Sequence, residues 1–87
     1  MAYTVQVQTT AARELAALPR SAQARVRAKI DALAGDPRPP GCAKMAGEDD
    51  LYRIRVGDYR VIYAVHDDVL LVIVVRIGHR REVYRRR

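Results

Sequence analysis

"LYRIRVGDYRVIY", residues 51–63, is the stretch that decides the fold of this chain. Apolar and polar residues alternate on both sides of Gly57-Asp58, and a short turn of that composition between alternating strands predicts a β-hairpin. With a two-residue turn, one hairpin face carries only apolar side chains: Tyr52, Ile54, Val56, Tyr59, Val61 and Tyr63. We expect that face to pack against the rest of the core.

Three arginines fall on the other face of the same hairpin. The two-residue turn sets Arg55 directly opposite Arg60, with Arg53 on the same side. Like charges opposed across strands destabilise a sheet, by about 1 kcal/mol in water and about 3 kcal/mol at an effective dielectric constant of about 20. One such arginine would simply be solvated, but three together predict a bound anion, and phosphate fits the guanidinium fork.

The charge of the whole chain also indicates a polyanionic partner. The net charge is +6, and residues 51–87 hold nine basic and four acidic residues, a net of +5. Fourteen of the 16 basic residues are arginine, which binds phosphate in a bidentate way that lysine cannot. Nucleic acid is therefore the first partner to consider.

Composition argues against several other functions. Cys42 is the only cysteine, which excludes an intrachain disulfide and a cysteine-built zinc site and fits a reducing cytoplasm. No apolar run approaches the roughly 18 residues of a membrane helix, so we expect no membrane association. The sequence shows no metal-ligand set, no glycine-rich phosphate loop and no Ser-His-Asp order, and we predict no cofactor and no metal.

Two helices are predicted after a first strand. Residues 3–8 alternate as a strand, and residues 9–18 predict a helix with Thr9 or Thr10 as its N-cap. A second helix is predicted over residues 21–33, before Gly and Pro residues that stop it. Its apolar stripe consists of Ala22, Val26, Ile30 and Leu33.

A loop separates these helices from the remaining strands. Residues 35–50 are too rich in Pro and Gly for a regular element. After the hairpin, a turn at Asp67-Asp68 leads into residues 69–77, whose continuous apolar character predicts a central strand. The order β-α-α-β-β-β predicts one α+β domain over residues 1–87, with a helical hairpin packed on one face of a small, mainly antiparallel sheet.

The C-terminal stretch "GHRREVYRRR", residues 78–87, adds two groups that can transfer a proton. His79 and Tyr84 both lie close to the end of the predicted central strand. A lone histidine is more often incidental than catalytic, so the sequence alone makes His79 only a candidate. His66, at the Asp67-Asp68 turn, is given no role.

The chain resembles the RelE toxins of the RelE/ParE superfamily in three stretches: "YRIRVGDYRVIYAV", "VVRIGHRREVYRR" and the N-terminal "YTVQVQTTAARELAALP". The resemblance implies a toxin of a type II toxin–antitoxin pair that enters the ribosomal A site and cleaves mRNA without metal. In this reaction the 2′-hydroxyl attacks the adjacent phosphate. The resemblance also implies a RelB-class antitoxin as partner, and promoter DNA binding only through the toxin–antitoxin complex.

The same resemblance assigns site residues. The family's catalytic positions fall on Arg53, Arg55, Arg60, Arg80 and Tyr84, with His79 beside them. The best-known members carry Lys at the first two positions, where one has been considered as the general base, whereas Arg53 and Arg55 stay protonated. The arginines can bind phosphate and stabilise charge, so proton transfer falls to His79, Tyr84 or the ribosome. Further RNA contacts are predicted for Lys44, Arg81 and Arg85.

Two other functions remain open. ParE relatives share the fold but poison DNA gyrase and lack the RNase residues. A plain RNA-binding domain would bind phosphate without arresting growth. The arginines of the hairpin together with "HRREVY", residues 79–84, favour the RNase.

Overall fold

The chain folds into two helices packed against a five-stranded sheet. The structure, a computed structural model, describes residues 2–47 and 50–79. The elements in chain order are β1 (Thr4–Val7), α1 (Thr9–Ala16), α2 (Arg20–Ala32), β2 (Ala43–Lys44), β3 (Leu51–Val56), β4 (Tyr59–His66) and β5 (Leu71–His79). The strand order is β1-β5-β4-β3-β2, with β1 parallel to β5 and the other pairs antiparallel. The predicted α+β class and the central place of the last strand are confirmed.

The β3–β4 hairpin has the predicted register. Arg55 pairs with Arg60, and Arg53 pairs with Ile62. Gly57 begins the turn with φ of +61°, in the left-handed region that glycine adopts without a steric penalty. The composition of this turn therefore fixed which residues share a face.

The core lies between the helices and the apolar face of the sheet. The helices contribute Ala11, Leu15, Ala22, Val26, Ile30 and Leu33, and the strands contribute Ile54, Val56, Val61, Tyr63, Val65, Val72, Val74 and Ile77. The predicted stripe of α2 is therefore buried as expected. Burying one large aliphatic side chain stabilises a fold by roughly 1.5–3 kcal/mol, so these two faces account for most of the hydrophobic driving force.

One strand was missed in the Pro- and Gly-rich segment that sequence predicted as a plain loop. Ala43 and Lys44 form β2, in which Ala43 pairs with Arg53 and Lys44 with Tyr52. Two residues are too few to show an alternating pattern, so periodicity cannot reveal such a strand.

The start of α1 also differs from the prediction. Neither Thr9 nor Thr10 is the N-cap, because Gln8 takes that position without a side-chain capping hydrogen bond. The backbone N–H of Gln8 donates to the carbonyl of Val74 at 2.9 Å. Residue 8 is thus still held by the sheet, and the helix begins directly after it.

Strand β5 begins two residues later than predicted and contains a bulge. Val69 is 63% exposed in the turn, and Leu70 has φ of +52°. Ile62 pairs with Arg76 while Tyr63 pairs with Val74, so Val75 is an extra residue on β5. A bulge of this kind reverses the faces of all residues that follow it.

A polar network ties the 36–42 segment to the β4–β5 turn. Arg38 binds both carboxylate oxygens of Asp67, with Nη2 to Oδ2 at 2.7 Å and Nη1 to Oδ1 at 3.1 Å. The Tyr3 hydroxyl donates to Asp67 Oδ1 at 2.6 Å, and Arg38 Nε donates to the Tyr52 hydroxyl at 3.0 Å. Hydrogen bonds from Arg38 and then Tyr3 lower the pKa of Asp67 to about 2.

This network predicts a loss of stability in acid. The folded-state pKa of Asp67 is about 2, below the ordinary value of 3.8. The stabilisation is therefore complete above the ordinary value and is lost as pH falls through about 2. We expect the difference in unfolding free energy between the wild type and Asp67→Asn to shrink over this range, as measured by urea denaturation. Asp68→Asn, the exposed neighbour, is the control and should show no such convergence.

Candidate nucleic-acid interface

The three hairpin arginines line one cavity at the end of the sheet. Arg53, Arg55 and Arg60 contribute to a cavity of about 340 Å³. Arg53 and Arg60 are half-buried, whereas Arg55 is exposed. The arrangement follows from the register, because Arg55 and Arg60 are a directly opposed pair and Arg53 lies two residues along β3. The structure therefore brings together the arginines that the sequence predicted to converge.

The other walls of this cavity come from elements that sequence reasoning did not connect with the arginines. Lys29 of α2 contributes a further cation, and Pro39, Pro40 and Gly41 form a wall of backbone and ring atoms. Lys29 lies off the apolar stripe of its helix, which was visible in the sequence. Its approach to β3 depends on how α2 packs on the sheet, which no local pattern shows.

The arginine face is less open than expected. Ile62 and Ala64, on the same face of β4 as Arg60, are only 6% and 8% exposed. The exposed cationic part lies toward the β3–β4 turn, where Arg55 reaches solvent. An anion would therefore bind at the hairpin end and not across the whole face.

His79 lies on the opposite face of the sheet from the arginines. It pairs with Tyr59, and the two rings meet edge to face with centroids 6.1 Å apart. Tyr59 packs against the core on the helix side of the sheet. His79 thus lines a second groove, of about 400 Å³, together with Leu18 and Pro19 of the α1–α2 turn.

The two faces nevertheless meet at one end of the sheet. Gly78, the residue before His79, pairs with Arg60 on the neighbouring strand. Glu14 of α1 holds this end of β5, because its carboxylate accepts a hydrogen bond from the Ile77 backbone N–H at 2.7 Å. The same carboxylate pairs with Arg76 at 3.0 Å. The backbone that carries His79 is therefore fixed beside the arginine cavity, although its ring points away.

The remaining predicted site residues are not placed in the cavity. Lys44 pairs with Tyr52 and is exposed, whereas its neighbour Ala43 is the β2 residue that lines the cavity. Successive strand residues face opposite ways, so Lys44 belongs to the other side of the sheet. Arg80, Arg81, Tyr84 and Arg85 lie outside the described residues.

Two searches of the described residues, 2–47 and 50–79, found nothing. No group of three or more His, Cys, Asp and Glu side chains there is arranged to hold a metal ion. In that part of the chain, no helix has the length and apolar character needed to span a membrane.

The sequence matches a known toxin family over most of its length. A family model described as the ParE toxin of the type II toxin–antitoxin system parDE matches residues 5–84. Toxin RelG of Mycobacterium tuberculosis is 34% identical over 87 residues, which cover 99% of this chain and 100% of RelG.

Solved structures share the fold at similar identity. The archaeal RelE–RelB complex from Pyrococcus horikoshii contains a chain that is 32% identical, with a TM-score of 0.81 and coverage of 92% of this chain and 97% of that one. The RelBE2 toxin–antitoxin complex from Mycobacterium tuberculosis contains a chain that is 30% identical, with a TM-score of 0.80 and coverage of 91% and 99%. The arrangement of two helices on a mixed sheet is therefore that of RelE structures.

Proposed function

This chain belongs to the RelE/ParE superfamily of type II toxin–antitoxin toxins, and from that premise we propose that it is a ribosome-dependent mRNA interferase. The observation that carries the proposal is the convergence of Arg53, Arg55 and Arg60 on one cavity. Guanidinium groups held on paired strands are suited to bind a phosphodiester and to stabilise the charge that develops on it.

The proposed reaction is an internal phosphoryl transfer. The 2′-oxygen of one nucleotide bonds to the adjacent phosphorus, and the bond from phosphorus to the 5′-oxygen of the next nucleotide breaks. The products are a 2′,3′-cyclic phosphate and a 5′-hydroxyl. A base removes the 2′-hydroxyl proton and an acid gives a proton to the leaving oxygen, while the arginines neutralise the phosphoryl oxygens. Arginine cannot act as that base, because it stays protonated.

We propose His79 as the acid or the base, with Tyr84 orienting or stacking on the target base. Histidine exchanges protons near neutral pH, and His79 lies one residue from the pairing partner of Arg60. An RNA strand passing over this end of the sheet could contact both faces. Arg80, Arg81 and Arg85 are proposed to add phosphate contacts, and Lys44 an outlying one.

His79→Ala is expected to slow cleavage by about 10²-fold, the lower end of the usual effect of general acid–base catalysis, since Tyr84 or the ribosome can contribute. The measurement is single-turnover cleavage of mRNA on programmed ribosomes, with His66→Ala as the control. A His79→Ala variant that cleaves as fast as wild type would remove His79 from the mechanism and leave the arginine site unaffected.

The test of the function itself is primer extension on mRNA from cells in which the toxin is induced. We expect new 5′ ends between codon positions of a translated message. A copy of the same message without its start codon should remain intact, because its codons never enter the A site. Cleavage of both messages would contradict the ribosome dependence, and cleavage of neither would contradict the RNase.

A gyrase poison is the second candidate, and the match to a ParE family model favours it. Such a toxin would induce DNA damage while translated mRNA stays intact. The same induced culture discriminates the two functions when chromosome breaks and mRNA ends are measured together. Intact mRNA with broken DNA would replace the first proposal by the second.

We propose a RelB-class antitoxin as the partner in the cytoplasm, because the two similar solved chains come from complexes of RelE with RelB. The basic arginine face would suit an acidic segment of such a protein. Binding to promoter DNA is proposed only for the toxin–antitoxin complex. Co-purification of a tagged toxin with the product of the adjacent gene tests the pairing.

A further inference from the structure

A second basic groove adjoins the arginine cavity on the side of α2. It is lined by Arg25, Ala28, Lys29, Arg55, Val56 and Gly57. Lys29 and Arg55 also line the arginine cavity, so the two depressions share a wall and form one continuous surface. This surface runs from Arg60, around the tip of the β3–β4 hairpin, to α2.

The cations of α2 are directed to this surface by helical geometry. Arg25 and Lys29 are four residues apart, which places them on the same side of the helix one turn from each other. Both are exposed, while Val26 and Ile30 beside them are buried against the sheet. The opposite flank of the helix carries Arg27, which lines neither depression.

The Arg25 guanidinium lies directly over the hairpin turn. A Cβ on residue 57 would be 3.1 Å from Arg25 Nη1 and 3.5 Å from Nη2, so glycine at this position lets the guanidinium approach the backbone. The approach brings the charge of α2 beside the end of β3, where Arg55 lies. Side chains from two separate elements therefore meet at one place.

Nothing acidic in the described part of the chain neutralises this cluster through an ion pair. The ion pairs found in residues 2–47 and 50–79 join Arg38 to Asp67, His66 to Asp50 and Arg76 to Glu14. Arg25, Lys29 and Arg55 take part in none of them. Like charges kept together without internal compensation favour an external anion.

We propose that Arg25 and Lys29, with Arg55, form a second phosphate-binding position for RNA next to the cleavage cavity. The inference rests on the proposed function, since it takes RNA as the substrate. One phosphate lies among Arg53, Arg55 and Arg60 for reaction, and a neighbouring phosphate of the same strand is held over the hairpin tip by α2. Arg25 and Lys29 are positioning residues, because they fix the strand without touching the reacting bond.

The test measures binding apart from cleavage. The probe is a short single-stranded oligoribonucleotide with 2′-O-methyl sugars, which cannot undergo 2′-hydroxyl attack. Its affinity for the purified chain is measured by fluorescence anisotropy at several salt concentrations. Each lost phosphate contact should reduce the slope of log K against log salt by about 0.7, so Arg25→Gln with Lys29→Gln should reduce it by about 1.4. Arg27→Gln removes one charge from the same helix and should leave the slope nearly unchanged.

A second measurement identifies the source of the phosphate. The same variants are tested for binding to vacant ribosomes, which offer ribosomal RNA but no message. Loss of oligoribonucleotide binding supports the position for the substrate strand. Loss of ribosome binding alone would overturn that assignment in favour of a ribosomal RNA contact. Equal behaviour of the α2 variants and Arg27→Gln, or no salt-dependent binding by the wild type, would overturn the proposal entirely.

Failure of this inference and failure of the proposed function give different results. If the wild type cleaves translated mRNA but the α2 variants bind like Arg27→Gln, the interferase stands and the second position falls. If the wild type cleaves nothing but the slope changes as expected, the groove binds RNA and the interferase falls.

Discussion

Arg60→Ala is expected to slow cleavage of translated mRNA by about 10²–10³-fold, the usual effect of losing one preorganised donor to a transition-state oxyanion. Arg60 lies on β4, between β3 and β5, so its backbone is held from both sides and its guanidinium shares a cavity with Arg53 and Arg55. The measurement is single-turnover cleavage on programmed ribosomes with saturating toxin, which separates chemistry from binding.

Two further variants make this result interpretable. Arg60→Lys keeps the charge but loses the bidentate fork, and we expect it to cleave at a rate between wild type and Arg60→Ala. Arg27→Ala, an exposed change on α2, should cleave at the wild-type rate. The melting temperature of each variant must stay close to wild type, because a half-buried arginine could also contribute to folding. Wild-type cleavage by a folded Arg60→Ala would contradict the arginine site.

Tyr63→Ala is expected to destabilise the fold by about 3–5 kcal/mol, the usual cost of removing a buried aromatic side chain. The Tyr63 side chain is fully buried, and its ring stacks on Tyr52 with centroids 6.0 Å apart. Its hydroxyl donates to the Pro37 carbonyl at 2.8 Å, which holds the segment after α2 against the sheet. Folded domains are stable by only about 5–15 kcal/mol, so urea denaturation should show a large shift of the midpoint.

The hydroxyl and the ring can be separated by a second substitution. Tyr63→Phe keeps the ring but leaves the buried Pro37 carbonyl without its donor, and we expect a cost of about 1–3 kcal/mol. Val69→Ala removes apolar atoms from a residue that is 63% exposed and should change stability little. A Tyr63→Ala variant no less stable than Val69→Ala would show that this ring does not support the core.

The predictable parts of this fold were those that depend on local repetition. The hairpin register followed from Gly57-Asp58 and the alternation on each side of it, and the α2 stripe followed from helical spacing. The pairing of β1 with β5 joins Thr4 to Leu71 in parallel. A pairing across so many residues depends on the packing of everything between them, and no local pattern reports it.

The candidate site was predictable on one face only. The arginine set needed nothing beyond the register of one hairpin. The face of His79 depends on the bulge at Val75, since uninterrupted alternation from Val72 and Val74 would put His79 on the arginine side. The run of apolar residues in β5 hides the bulge, because both faces are apolar there. Lys29 was missed for a different reason, as its position depends on how a helix packs against a strand.

The parallel pairing of β1 with β5 sets synthesis and assembly in opposite order. The first strand made, β1, lies at the sheet edge and pairs only with β5, which is the last strand of the described chain to be translated. A nascent chain that ends before β5 has no partner for β1 and no central strand against which α1 can pack. Long-range contacts of this kind form late and slowly. The β3–β4 hairpin can therefore be complete while the sheet that holds it is not, and folding is finished only once β5 has left the ribosome.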